Sequence, residues 1–233
     1  MFIANDTELN RINVKNAIKG ETYYCPSCGS ELIVKQGLCK QWHFAHKSKK
    51  NCDDWYEMSE WHKDWQEKFP ERFREVVLSN GNEKHRADIK VGNLIVEFQK
   101  SPITLAEFKK RCKFYSKDNY LIWLFDIRNK SNKPEVTYYD KTKFKWKYAY
   151  NLNIDFGFKN IEIFLQTHNN IIIKCDKPIK GLKIFKGYEG TKEHFMQHLR
   201  YVYCQTKKNK YNKKVYKVSD EELRLYGILN GYN

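Results

Sequence analysis

The fifteen residues HRADIKVGNLIVEFQ, His85 to Gln99, leave the chain little freedom. Two β-branched and aromatic runs flank Gly92-Asn93, and that dipeptide closes a tight antiparallel hairpin. The turn sets the register. Val91 faces Leu94, and counting outward brings Asp88 opposite Glu97. Glu97 and Gln99 lie two apart, so they share a face of the sheet. Ile89, Ile95, Val96 and Phe98 require burial on at least one side. Opposed carboxylates repel unless a cation lies between them. Two carboxylates beside an amide make a hard oxygen site suited to Mg²⁺ or Mn²⁺. The plainer alternative is a half-exposed strand with polar residues at alternate positions.

The flanking segments extend the pattern. A helix is expected from Trp55 to Phe69, closed by Pro70, with Met58, Trp61, Trp65 and Phe69 in one core-facing stripe. Ser59, His62 and Gln66 edge that stripe, while Glu60 falls on the charged side with Glu67. FREVVLS, HRADIKV and NLIVEFQ read as strands, TLAEFKKRCKFYSK as a helix and YLIWLFDI as a fully buried strand. The order is α-β-β-β-α-β. Beyond Arg128, EVTYYD, FKWKYAY, IEIFLQT and NIIIKCD read as antiparallel strands, and TKEHFMQHLRYVYCQ as a helix. The expected class is α+β or α/β. Three regions are expected: 1–54, 55–130 and a β-rich, basic 131–233 ending in a helix.

The first region is dense in Cys and His. In CPSCG, Cys25 and Cys28 are spaced to grip one ion, with Gly29 permitting the tight turn. Fourteen residues further on, HFAH supplies His43 and His46. Two cysteines and two histidines complete a tetrahedral structural Zn²⁺ site. The two-residue gap between the histidines is shorter than zinc fingers use, so Cys52 and Cys39 stand as substitutes for one of them. The alternative is a redox pair with two surface histidines, but nothing around the cysteines resembles a thioredoxin unit. No H-x-E is followed by a P-C-x-x-C, which excludes a zinc deaminase.

A formal charge of +15 points to a polyanionic partner, and DNA or RNA is the usual one. Six lysines and no acid lie between Lys207 and Lys217. Lys207, Lys208 and Lys210 are candidate phosphate contacts, with a solvated tail as the ordinary alternative. MFIANDTELNR lacks the shape of a signal peptide, and the longest apolar run, Leu121–Phe125, is too short for a bilayer. A cytoplasmic location without membrane attachment is expected, with reduced cysteines.

Taken in order, YYCPSCG, HFAHK, SEWHKDWQ, HRADI, VEFQKSPI, KRCKFY and LIWLFD resemble the competence protein CoiA-like family over about Met1 to Asp126. The acid pair within α-β-β-β-α-β also resembles the restriction-endonuclease-like PD-(D/E)xK core. The resemblance implies a metal-dependent nuclease fold that processes or recombines DNA. Asp88 and Glu97 would be the Mg²⁺ or Mn²⁺ ligands, and Gln99 would stand at the motif lysine. An amide can orient a water but cannot take its proton or supply charge. Lys100 points to the opposite strand face, which leaves Arg86 or Arg111 for the phosphate, with Tyr115 one helical turn past Arg111. His62 takes the family's histidine position. Some relatives carry Glu where Met58 stands and Lys where Gln66 stands.

The leading expectation is a Mg²⁺- or Mn²⁺-dependent deoxyribonuclease with a zinc module, acting alone or with recombination or DNA-processing proteins. A non-catalytic DNA-binding accessory protein and a zinc-organised protein–protein adaptor are the alternatives.

Overall fold

The computed structural model describes residues 1–48, 58–128, 136–146, 160–178 and 185–210. Two sheets and three α-helices among them make a mixed α+β protein. Contacts divide the chain into two units, Met1–Ser59 with Glu75–Ala87, and Glu60–Arg74 with Asp88 onward.

In the first unit β1 (Ile3–Asn5), β2 (Arg11–Asn13), β3 (Tyr23–Tyr24), β4 (Glu31–Lys35) and β5 (His43–His46) form an antiparallel sheet ordered β2-β1-β3-β4-β5. Its core is small, built around Met1, Ala4, Tyr23, Leu32 and Phe44. The buried carboxylate of Glu75 accepts the amides of Phe2 and Ile3, at 3.0 and 3.1 Å. Satisfying those donors offsets the cost of burying the charge.

The expected order is present: α1 (Glu60–Gln66), β6 (Arg74–Asn80), β7 (Glu83–Val91), β8 (Leu94–Gln99), α2 (Leu105–Ser116) and β9 (Tyr120–Asp126). Helix α1 begins at Glu60, since Met58 and Ser59 are not helical; residues 55–57 lie outside the described residues. Thr104 caps α2 by accepting the Glu107 amide at 3.2 Å, as a T-x-x-E start requires. Gly92 takes φ +54 in the hairpin turn, and a Cβ there would come within 2.9 Å of Tyr203. Both its conformation and that close approach demand glycine.

The 131–233 region does not stand apart. β10 (Val136–Tyr138), β11 (Lys143–Trp146), β12 (Ile161–Gln166), β13 (Ile172–Pro178) and β14 (Phe185–Gly190) extend the sheet of β9 in the order β10-β11-β14-β13-β12-β9-β8-β7, and β6 lies beside β7. IEIFLQT was expected to pair antiparallel; β12 instead runs parallel to β9, with Ile163 beside Trp123 and Leu165 beside Phe125. The reason lies in β9. Its run is buried on both faces, as befits a strand inside a parallel sheet, so the expected boundary at 130 falls between two neighbouring strands.

Helices cover both faces. On one, α1 and α3 (Lys192–Lys210) pack against Phe98, Ile122, Leu124 and Phe164. On the other, α2 sets Phe108 against Trp123, ring centroids 5.1 Å apart. Gln166, fully buried, ties α1 to the end of β12. Its Oε1 accepts from the indoles of Trp61 and Trp65, at 2.7 and 3.0 Å, and its Nε2 donates to the carbonyls of His168 and Asn169, both at 3.0 Å. Helix α1 is thereby held by polar contacts as well as by its apolar stripe.

Candidate functional site

The register read from Gly92-Asn93 is the one observed: Val91 pairs with Leu94 and Ile89 with Val96. One step further the backbone pairing stops, and the acids take its place. Asp88 Oδ2 accepts the amide of Phe98 at 2.8 Å, while Glu97 Oε1 accepts the amide of Asp88 at 3.3 Å. The strands part there, so each carboxylate accepts a backbone amide rather than facing its neighbour bare.

Side chains from two helices complete the arrangement. His62 Nε2 lies 2.8 Å from Asp88 Oδ1, and Gln66 Nε2 donates to the same oxygen at 3.2 Å. The acceptor-only carboxylate selects His62 as an Nε2–H donor. From α2, Arg111 Nη1 reaches Glu97 Oε2 at 3.3 Å, while its Nε is held by Glu107 at 2.7 Å. Glu97 and His62 are almost wholly buried. The repulsion expected between the acids is thus met by donors of the chain itself. Carboxylate oxygens have further lone pairs, so these contacts do not exhaust their capacity to accept.

Asp88, Glu97, His62 and Arg111 are therefore brought together. Gln99 is buried beside them, with Nε2 donating to the Ser101 carbonyl at 2.6 Å. Lys100 turns away, its Nζ 3.5 Å from Asp126. Tyr115 is buried on the inner side of α2. Arg86 lies on the part of β7 grouped with the first unit, where it adds positive charge near the Met1 amino group. Lys207, Lys208 and Lys210 fall in the last turns of α3, but their side chains lie outside the described residues. Cys112 is no candidate nucleophile, because burial pushes its thiol up to about 12.

Sequence reasoning passed over Glu107, although its four-residue spacing from Arg111 is the usual helical ion-pair signal. Gln66 was placed on the right edge of α1 without a partner.

The first unit gathers a second cluster. Cys25 leaves β3, Cys28 and Gly29 make the turn (Gly29 φ +70), and the amide of Gly29 donates to the Cys25 carbonyl at 2.8 Å. Leu32 pairs with His46, which brings that histidine to the mouth of the turn. One ligand atom each from Cys25, Cys28 and His46 lie within 4.8 Å of one another, with Cys28 Sγ and His46 Nε2 at 3.4 Å. This is the one such group among the described residues.

His43 is not part of it. HFAH is a strand, so residues three apart point to opposite faces and stand about 10 Å apart along it. His43 pairs with Lys35 at the far end of the β4–β5 hairpin, its Nδ1 2.8 Å from the Gln41 carbonyl. Cys39 is exposed and outside the group, and Cys52 lies outside the described residues.

Residues 58–198 form a nuclease-like domain: they match the family model described as competence protein CoiA, nuclease-like domain. The model for the competence protein CoiA N-terminal domain matches residues 6–54. The chain belongs to the competence protein CoiA family. It is similar to Competence protein CoiA of Bacillus subtilis (strain 168), 29% identical over 143 residues, a stretch covering 56% of this chain and 38% of that protein. The match thus spans well under two thirds of the relative's length. No solved structure matches. No helix among the described residues is long and apolar enough to cross a membrane.

Proposed function

We propose that the chain is a divalent-metal-dependent nuclease acting on DNA, with a restriction-endonuclease-like core centred on Asp88 and Glu97. The observation that carries this reading is the parting of β7 and β8 at the acid pair, where α1 and α2 each send a polar side chain to one carboxylate. The donor set fits a hard cation: two carboxylates, with the Gln99 side-chain amide oxygen two residues along the strand from Glu97. When bound there, Mg²⁺ or Mn²⁺ would acidify a water and offset charge on the phosphoryl oxygens. The chain's own groups do the rest. His62 and Gln66 fix Asp88, Arg111 steadies Glu97 and offers positive charge to the phosphate, and Gln99 orients the attacking water.

In the first unit, Cys25, Cys28 and His46 are proposed as ligands of a structural Zn²⁺. Thiolate and imidazole donors suit zinc, and the small core gives such an ion a stabilising part to play. Processing of DNA in a recombination or competence setting, in the cytoplasm, completes the proposal.

A second reading, a DNA-binding protein that cuts nothing, is favoured by one observation. No lysine stands at Gln99, and Lys100 is committed to Asp126.

The deciding experiment incubates plasmid, linear duplex and single-stranded DNA with the protein in Mg²⁺ and in Mn²⁺, beside Asp88→Ala and Glu97→Ala. Metal-dependent cleavage lost in both variants is the expected result. Binding without cleavage under both metals would hand the case to the second reading.

A further inference from the structure

Helix α2 is two-sided. One side faces β9 with Phe108, Cys112 and Tyr115, and Arg111 reaches from its flank to Glu97. At about 100° per residue, Lys109, Lys110, Lys113 and Lys117 all fall within an arc of about 100° on the outer side. All four are exposed, and the only other residue in that arc is Ala106. The helix's own acid, Glu107, lies outside the arc and is engaged by Arg111.

The arrangement works against the helix. Lys109 and Lys113, and Lys113 and Lys117, stand four apart, where like charges repel. Lys113 and Lys117 gain from the negative end of the helix dipole, but Lys109 and Lys110 lie too far from it to do so. Such a face is relieved by a line of anions. The rise from Lys109 to Lys117 is about 12 Å, against about 3.4 Å of axial rise per phosphate along one strand of a duplex. The face thus spans several consecutive phosphates.

We propose that this lysine face binds the phosphodiester backbone of the substrate where the DNA flanks the acid pair. The inference rests on the nuclease-like reading and deepens it by saying where the strand runs. Arg111 stands about 150° around the helix from the middle of the lysine face, so DNA bound there flanks the Arg111–Glu97 contact from across the helix rather than touching it.

The test measures the affinity of a labelled DNA duplex, and of its single strand, as a function of salt, with Asp88→Ala present throughout so that nothing is cut. Each phosphate contact adds about 0.9 to the slope of log Kd against log salt for duplex and about 0.7 for single strand. Converting all four lysines to Gln is expected to reduce the slope by about three to four and to weaken binding roughly tenfold or more at 0.1 M salt. Converting them to Arg should preserve both. The ratio of the two slope losses tells which form lies on the helix. A slope loss below one, in a Gln variant that keeps its far-UV circular dichroism, overturns the proposal. Polyglutamate bound as tightly as DNA, with the same loss, overturns it too. If the fourfold variant does not fold, Lys109→Gln with Lys113→Gln is read instead, with half the loss expected. The two ideas fail separately: a lost slope without cleavage by the wild type leaves this inference standing and removes catalysis, while cleavage with an unchanged slope does the reverse.

Discussion

The cysteine–histidine cluster of the first unit gathers at the turn of a hairpin and the acid pair of the second where a hairpin's strands part, and the two are supported in opposite ways. Cys25, Cys28 and His46 converge on one another and sit over a handful of apolar residues. Asp88 and Glu97 are each bound outward, to backbone amides, His62, Gln66 and Arg111, on a frame whose core includes Trp65, Phe98, Leu124 and Leu199. On the proposed reading, an ion in the first place would serve folding, and in the second, where the chain's own donors already hold the acids, it would serve chemistry.

The comparison breaks most visibly under chelation. Removing zinc is expected to forfeit on the order of 10 kcal/mol of binding energy that doubles as folding energy, and hydrogen exchange should lose its protection across β3 to β5. Protection across β8 and β9 should persist; its loss as well would mean the frames are not energetically distinct. Next in size is Asp88→Ala, for which metal-dependent cleavage should fall about a thousandfold, about 4 kcal/mol, while the fold is kept and the thermal transition falls by several degrees as His62 and Gln66 lose their acceptor. A collapse of the fold there would make the acid structural after all. His62→Ala, which removes a buttress and no proposed ligand, should cost 10- to 100-fold in Mn²⁺ affinity or cleavage rate. The same loss in a His62→Asn variant would show that the imidazole itself is needed.

The smallest effect sharpens the picture of the second unit. Burial alone would raise Glu162, but hydrogen bonds from His198 and Lys174 more than offset it, and its pKa lies below the ordinary 4.5. A depressed carboxylate stabilises the fold fully above that ordinary value, and the contribution is lost as pH falls through the lower folded one. Stability should therefore drop on acidification below about pH 4.5. Glu162→Gln should remove that slope and cost about 2 kcal/mol at neutral pH, read by denaturant titration.

Much of this was legible in the residues. The α-β-β-β-α-β order followed from strong local signals, and Gly92-Asn93 fixed which acid faces which. The misplacement of His43 came from treating HFAH as finger-like spacing; only once it is known to be a strand does parity separate His43 from His46. The pairing of β12 with β9 was out of reach for another reason. It joins residues some forty apart, and nothing local distinguishes a parallel neighbour from an antiparallel one. FKGYEG, which became β14, has no apolar alternation strong enough to announce a strand. Gln166 looked like the polar end of a strand, because its four partners are invisible until α1 is in place.

That glutamine has a consequence for how the gene can drift. Two donors and two acceptor positions are all in use, and the partners cannot exchange roles, since indoles only donate and carbonyls only accept. Glutamate would press an oxygen against two carbonyl oxygens, and leucine or methionine would strand two indole N–H groups in the interior and unpair two carbonyls nearer the surface. In a saturation library selected for folded protein, position 166 should keep a single letter, while Glu162, four residues upstream and only pairing with surface-reaching side chains, accepts several.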